Sequence, residues 1–250
     1  MDLTPTFYAI AIPAVMLAGI SKGGFGSGAA FVATPLLAII LPPEQALGLM
    51  LPLLMVIDLT TLRPYWGRWS GVDARRLILG GVPGVALGAW LLEVAPPDLL
   101  RFLIGSVAIG FVGWQWAVKA GRVPRVGADA GPVAGALTGL GAGFTSYISH
   151  AGGPVVAIYL LAKGHSKTTY QATSVLVFWA INLMKVVPYA LLGVFTADTL
   201  RAGATLVPVA IVGALVGVRA HYALPERVFF AITYGLLTIT GAKLIWDALT

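Results

Sequence analysis

The chain has 250 residues, of which 58% are hydrophobic and only 10% are charged, and its mean hydropathy is +0.89. Soluble domains are about 25% charged, so sixteen basic and ten acidic side chains could not cover a soluble protein of this size. The composition therefore excludes an ordinary soluble protein and predicts an all-α integral membrane protein. The absence of cysteine excludes disulfides, iron–sulfur clusters and thiolate metal sites.

Ten apolar runs separated by short polar segments follow one another along the chain: 5–20, 28–41, 46–62, 77–93, 99–117, 131–148, 154–163, 171–192, 202–222 and 226–246. A helix needs about 20 residues to cross a bilayer, and the first, second, sixth and seventh runs are shorter. We therefore expect 8–10 transmembrane segments, with short broken or re-entrant ones. Met1-Asp2-Leu3 lacks the basic region of a signal peptide, so we expect no cleavable signal.

Each pair of short runs brackets a glycine-rich cluster, at 21–28 in the first half and at 139–154 in the second. One interpretation is close helix packing through small residues. The other is that chain breaks expose backbone N–H groups and helix N-termini to an anion. Short, glycine-interrupted segments at matching places in two halves indicate the binding site of a transporter, so we favour the second interpretation.

The two halves also match along their length, at a nearly constant offset of about 124 residues. The matching positions are Glu44-Gln45-Ala46 with Tyr170-Gln171-Ala172, Asp58-Leu59 with Asn182-Leu183, Pro64-Tyr65 with Pro188-Tyr189, Pro83 with Pro208, and Gly88 with Gly213. This pattern predicts a duplication, with an N-terminal transmembrane repeat at 1–118, a cytoplasmic linker at 119–130 and a C-terminal repeat at 131–250.

Basic residues between the runs are distributed very unevenly when the loops are assigned alternately to two sides. One side collects Lys22, Arg63, Arg68, Arg75, Arg76, Lys119, Arg122, Arg125, Lys163, Lys167, Arg219 and Arg227, and the other only Arg101, Arg201 and Lys243. The positive-inside rule makes the first side cytoplasmic, which places both termini outside. Each half then crosses an odd number of times, so the repeats are inverted. The net charge of +6 thus serves membrane orientation, and we expect no nucleic-acid partner.

Ionisable groups inside the runs are few and are functional candidates because an intramembrane charge is costly. Asp58 is a candidate proton carrier, although an ion pair or snorkelling would also explain it. Lys185 is a candidate anion ligand with the same alternatives. Asn182 lies one helical turn before Lys185 and shares its face, although a hydrogen bond between helices would equally account for it.

The glycine clusters supply the remaining candidates for anion binding. Lys22 and His150 lie in the two clusters, and His150 could also exchange a proton near neutral pH; snorkelling of Lys22 and a structural hydrogen bond of His150 are the alternatives. The other candidate ligands are Gly24, Gly26, Ser27, Gly28, Ser149, Gly152 and Gly153.

At these motifs the chain resembles the sulfite exporter TauE/SafE family, also called the 4-toluene sulfonate uptake permeases. The resemblance rests on a glycine-rich break, a Pro-Leu-Leu segment at 35–37 and a Gln-Ala start to the next helix, with Gly152-Gly153-Pro154 and Gln171-Ala172-Thr173-Ser174 as the closer match. It implies a transporter, often an exporter, of sulfite or of organosulfonates such as sulfoacetate, coupled to protons. Its partners would be that small anion and the lipid bilayer.

Several alternatives remain open from the sequence. An intramembrane enzyme is disfavoured because the ten acidic residues form no metal-ligand spacing and His-Glu-x-x-His does not occur, and we expect no metal and no cofactor. An anion channel would also need polar residues along its path. A transporter of another small carboxylate or oxyanion and a subunit that does not transport are further alternatives, and a homodimer is open.

Overall fold

A computed structural model describes residues 3–25, 30–122, 131–221 and 226–250, and within these ranges the chain forms helices and no strands. The α-helices are α1 Pro5–Ile20, α2 Ala33–Ala38, α3 Pro43–Leu62, α4 Gly71–Val94, α5 Pro97–Lys119, α6 Pro132–Ser149, α7 Gly153–Ala162, α8 Lys167–Leu191, α9 Ala197–Ala220 and α10 Glu226–Leu249. The prediction of an all-α fold is confirmed.

Six helical segments in the described ranges are long and apolar enough to cross a membrane. They are Pro5–Gly24 and the helices α3, α4, α5, α8 and α9. Large apolar side chains such as Leu79, Trp90 and Leu191 point outward from these helices, as expected where acyl chains rather than water surround a protein. The chain is therefore a multi-pass membrane protein, and the predicted total of 8–10 segments stays a prediction.

Helices α4, α8 and α9 begin several residues before the apolar runs that predicted them, because their first turns are polar. Ser70 accepts a hydrogen bond from the Asp73 backbone at the start of α4. Thr196 and Thr199 form a reciprocal capping box at the start of α9. Capping side chains satisfy N–H groups that would otherwise lack partners, and they bring polar residues into the helix ends.

A chain break precedes each of the two short helices, as the glycine clusters predicted. Helix α1 passes into a π-helical turn at Ser21–Phe25, and a 3₁₀ turn at Ala30–Val32 leads into the six-residue α2. In the second half α6 ends at Ser149, His150 adopts a left-handed conformation with φ 55°, and the ten-residue α7 follows. Two chain breaks are thus brought into the helical bundle.

Glycines let two pairs of helices approach closely. A Cβ at Gly84 of α4 would lie 2.1 Å from the Leu140 carbonyl oxygen of α6, and one at Gly23 would lie 2.4 Å from the Ala214 carbonyl oxygen of α9. Gly139 and Gly143 lie within α6 and pack against α4 in the same way. These two glycines therefore serve helix packing and are not part of the break before α7. The two pairings correspond under the predicted duplication, and the inversion of the repeats stays a prediction.

Candidate functional site

Five buried polar side chains from both halves of the chain converge beside the two breaks. Lys22 comes from the π-helical turn after α1, Asp58 from α3, Asn182 and Lys185 from α8, and His150 from the break before α7. None is more than 8% exposed. Buried charges in a membrane protein are expensive, so a cluster of this kind marks a functional site by default.

Asp58 contacts residues of the cluster from both halves of the chain. Its carboxylate forms an ion pair with the Lys22 ammonium and accepts a 2.7 Å hydrogen bond from the Asn182 amide. Asp58 is fully buried and Lys22 is 4% exposed. Neither lysine nor aspartate snorkels to a surface, so the snorkelling alternative does not describe this pair.

Lys185 is held by groups that carry no negative charge. Its ammonium lies 3.0 Å from the Ser146 carbonyl oxygen, 3.1 Å from the Ser146 hydroxyl and 2.8 Å from His150 Nδ1. His150 Nε2 lies 3.2 Å from the Leu47 carbonyl oxygen, which can only accept. We therefore assign the tautomer with hydrogen on Nε2, which leaves Nδ1 free to accept from Lys185.

The cluster contains more basic than acidic side chains. It has two lysines and one carboxylate, and among the described residues the polar contacts of Lys185 Nζ are with neutral groups. Three acceptors around Lys185 match the three donors of an ammonium.

A small cavity opens at this cluster, and it has room for about one water molecule. Its lining combines hydrogen-bond donors with apolar walls: Lys22, Leu54, Ser146, His150, Gly153, Phe178 and Asn182. The cavity is too small for an oxyanion of sulfur, so anion binding requires a rearrangement of these side chains.

Helix α7 begins at the cavity, and close packing fixes its position. Gly153 is its first residue and lines the cavity, and no side chain caps this end. A Cβ at the preceding Gly152 would lie 2.6 Å from the Ala142 carbonyl oxygen and 2.8 Å from the Phe178 ring. Glycine at this position therefore lets the positive end of the α7 dipole reach the cavity.

Side chains from elsewhere in the chain bind three consecutive carbonyl groups of the first break. Gln171 Nε2 donates to the Lys22 carbonyl oxygen at 2.5 Å, and the Tyr65 hydroxyl donates to that of Gly23 at 2.8 Å. His221 Nδ1 donates to the Gly24 carbonyl oxygen at 2.6 Å. These bonds fix the backbone that carries Lys22.

Several of the candidate residues are placed away from the cavity lining. Gly24 packs against Gly217 of α9, and Ser149 donates to the Thr145 carbonyl oxygen one turn earlier in α6. Gly26, Ser27 and Gly28 lie outside the described residues. The roles predicted for these five in anion binding stay predictions.

Three residues of the site carry no signal of their own in the sequence. His221 lies directly after α9, is 4% exposed and is bonded to the first break. Ser146 contacts Lys185 through both its carbonyl oxygen and its hydroxyl. Gln171 is noted in the sequence only as part of a motif. The partners lie 197, 39 and 149 residues apart along the chain, so no local pattern could reveal them.

A second polar network lies where α4 begins, away from the lysine cluster. Asp73 accepts hydrogen bonds from the Ser70 and Tyr159 hydroxyls, each at 2.8 Å, and its Oδ2 lies 2.8 Å from His165 Nε2. His165 belongs to the segment between α7 and α8. The network therefore ties the start of α4 to the segments around α7.

Among the residues that the structure describes, no group of three or more His, Cys, Asp or Glu side chains could hold a metal ion.

Comparison with known proteins gives one result for nearly the whole chain. The family model described as sulfite exporter TauE/SafE matches residues 11–244. Searches of curated proteins and of solved structures give no match.

Proposed function

This chain belongs to the sulfite exporter TauE/SafE family, and from that premise we propose that it is a proton-coupled secondary transporter of small sulfur oxyanions. Sulfite and organosulfonates such as sulfoacetate are its proposed substrates, and export across the inner membrane is its proposed direction. The observation that supports this most strongly is the buried pair of lysines opposed by a single carboxylate.

The donors at the cavity suit an oxyanion. Lys22 supplies an ammonium group, Ser146 a hydroxyl and Asn182 an amide, and the Lys185 ammonium lies next to this lining, 3.1 Å from the Ser146 hydroxyl. The uncapped start of α7 adds backbone dipoles at Gly153. Charge-assisted hydrogen bonds to sulfur-bound oxygens are about twice as strong as neutral ones, so this set discriminates in favour of anions over neutral and cationic solutes.

A carrier mechanism follows from the placement of these groups. The anion enters between the two breaks and contacts Lys22 and Lys185, while Asp58 or His150 takes up and releases the coupling proton. Rocking of the two predicted inverted repeats against each other would expose the site alternately to the two sides. The small size of the cavity, with room for about one water molecule, favours this carrier over the open path that a channel needs.

The organisation of the protein in the membrane completes the proposal. We propose two inverted repeats at 1–118 and 131–250, joined by a cytoplasmic linker at 119–130, with both termini outside. Export is transport and not a catalysed reaction, so we expect no enzymatic activity and no cofactor. Nothing in the contacts of the described residues supports a homodimer, and we do not propose one.

Equilibrium binding to the purified protein tests the substrate class. Sulfite, sulfoacetate, taurine, acetate and chloride are titrated into detergent-solubilised protein by isothermal calorimetry. We expect saturable binding of sulfite or sulfoacetate and weaker binding of the zwitterion taurine and of chloride. Binding of acetate in preference to both sulfur anions would show that the site selects carboxylates and would contradict the proposed substrate class.

A further inference from the structure

We propose that the Asp58 carboxylate and the transported anion are alternative partners of Lys22, so that each anion bound requires Asp58 to take up one proton. The proposal rests on the proposed function, because it concerns the same anion site. It assigns the coupling proton to Asp58 and not to His150, and it fixes the stoichiometry at one proton for each anion.

The contacts of Asp58 carry the argument. Its two carboxylate oxygens are used on Lys22 and on Asn182, and both of these partners line the cavity while Asp58 does not. An anion that enters the cavity therefore meets the two groups that already hold the carboxylate. The Asp58 carboxylate thus already holds the Lys22 ammonium that the substrate anion needs.

Two anions cannot share Lys22 at this site. The ion pair is buried, with Asp58 fully enclosed and Lys22 4% exposed, so water screens the repulsion between the carboxylate and a second anion only weakly. Like charges that share a buried site force one of them to become neutral. A sulfonate stays ionised, so the carboxylate must take the proton.

The groups around Asp58 and His150 favour Asp58 as the residue that takes up the coupling proton. The charged and titratable groups that face it in the described part of the chain are Lys22 at the first break and Lys185 on α8. His150, next to Lys185, donates from Nε2 to the Leu47 carbonyl oxygen and accepts at Nδ1. A proton added at Nδ1 would turn that acceptor into a donor facing the Lys185 ammonium.

The step balances in charge and in atoms. A proton from the aqueous phase adds to the Asp58 carboxylate, the ion pair with Lys22 separates, and the neutral acid keeps its carbonyl oxygen on the Asn182 amide. The anion then binds the Lys22 ammonium. The cluster holds the same net charge before and after, so a monovalent anion and its proton cross together without moving charge.

The chain supplies a matched control for this proposal. Asn182 bonds directly to Asp58 across a separation of 124 residues, which is the offset of the predicted duplication. The double variant D58N/N182D therefore exchanges the amide and the carboxylate across one hydrogen bond. It keeps the number of carboxylates and of amides in the cluster.

The decisive experiment measures the affinity for methanesulfonate, which stays ionised, between about pH 5 and pH 8. For the wild-type protein we expect the affinity to fall by about tenfold per pH unit once Asp58 is ionised in the empty site. D58N should bind at all pH values as tightly as the wild type does at low pH, and D58N/N182D should restore the pH dependence. An undiminished pH dependence in D58N would overturn the proposal.

Calorimetry of the wild-type protein alone provides a second test that needs no variant to fold. Titration at the upper end of this pH range, in buffers that differ in ionisation enthalpy, gives the number of protons taken up with each methanesulfonate. We expect a value of about one, and a value near zero would refute the assignment. Absence of binding at every pH in the wild type and in D58N would instead contradict the proposed function.

Discussion

Replacement of Lys185 by Met removes the cation that no carboxylate in the cluster contacts directly. Lys185 is fully buried, and its ammonium touches the Ser146 carbonyl oxygen, the Ser146 hydroxyl and His150 Nδ1. Met is of similar length and apolar, so the variant keeps the packing of α8 while the charge is lost. If Lys185 binds the anion, its loss must weaken anion affinity.

The size of the effect follows from the burial of the lysine. Loss of one partner from a buried, hydrogen-bonded charge pair costs about 2–5 kcal/mol in binding. Since 1.4 kcal/mol is a factor of ten, the dissociation constant of K185M should rise by about 30-fold or more. The free energy of unfolding should change less, because two effects oppose each other. The variant no longer buries a charge, which is favourable, and it leaves three acceptors without their donor, which is unfavourable.

The assay is a calorimetric titration of methanesulfonate into K185M, with K243M as the matched control. Lys243 is exposed and pairs with Asp247 one turn further along α10, so K243M should bind like the wild type. Thermal unfolding of both variants verifies that they fold. An unchanged affinity in a folded K185M would refute the role of Lys185 in anion binding.

Three further changes test the close packing at Gly152, the hydrogen bond that holds the first break, and the second polar network. Gly152→Ala should lower the stability by about 1–3 kcal/mol through overpacking, visible as a lower melting temperature. Its control Gly110→Ala, where a Cβ meets nothing within 4 Å, should be neutral or stabilising. Gln171→Ala should weaken methanesulfonate binding because the Lys22 backbone loses its 2.5 Å bond; unchanged affinity would show that the break holds its shape without it. Asp73→Asn should destabilise the protein by about 1–3 kcal/mol by removing charge-assisted hydrogen bonds, measured by thermal unfolding, and an unchanged melting temperature would contradict this.

The sequence predicted the helical elements well because hydropathy and glycine are local signals. The run at 131–148 corresponds to α6, and the run at 154–163 corresponds to α7. The starts of α4 and α9 were missed by five or six residues, because their first turns are polar and are held by caps at Ser70 and Thr196. Capped ends carry little hydrophobic signal.

The site could be predicted only in part. Lys185 and Asp58 stood out because charges inside apolar runs are rare, and the duplication marked Asp58 and Asn182 as equivalent positions. It did not show that these two side chains bond to each other. Contacts of this kind depend on how helices cross, which no periodicity in the sequence records.

We propose above all that the chain carries a sulfur oxyanion across the membrane together with a proton. The most direct measurement is flux into proteoliposomes of the purified protein, comparing sulfite, sulfoacetate, taurine and chloride with and without an imposed pH gradient. We expect saturable flux of sulfite or sulfoacetate that is driven by the pH gradient. Saturable flux indifferent to the gradient would contradict proton coupling, and absence of flux for every sulfur anion would contradict the substrate assignment itself.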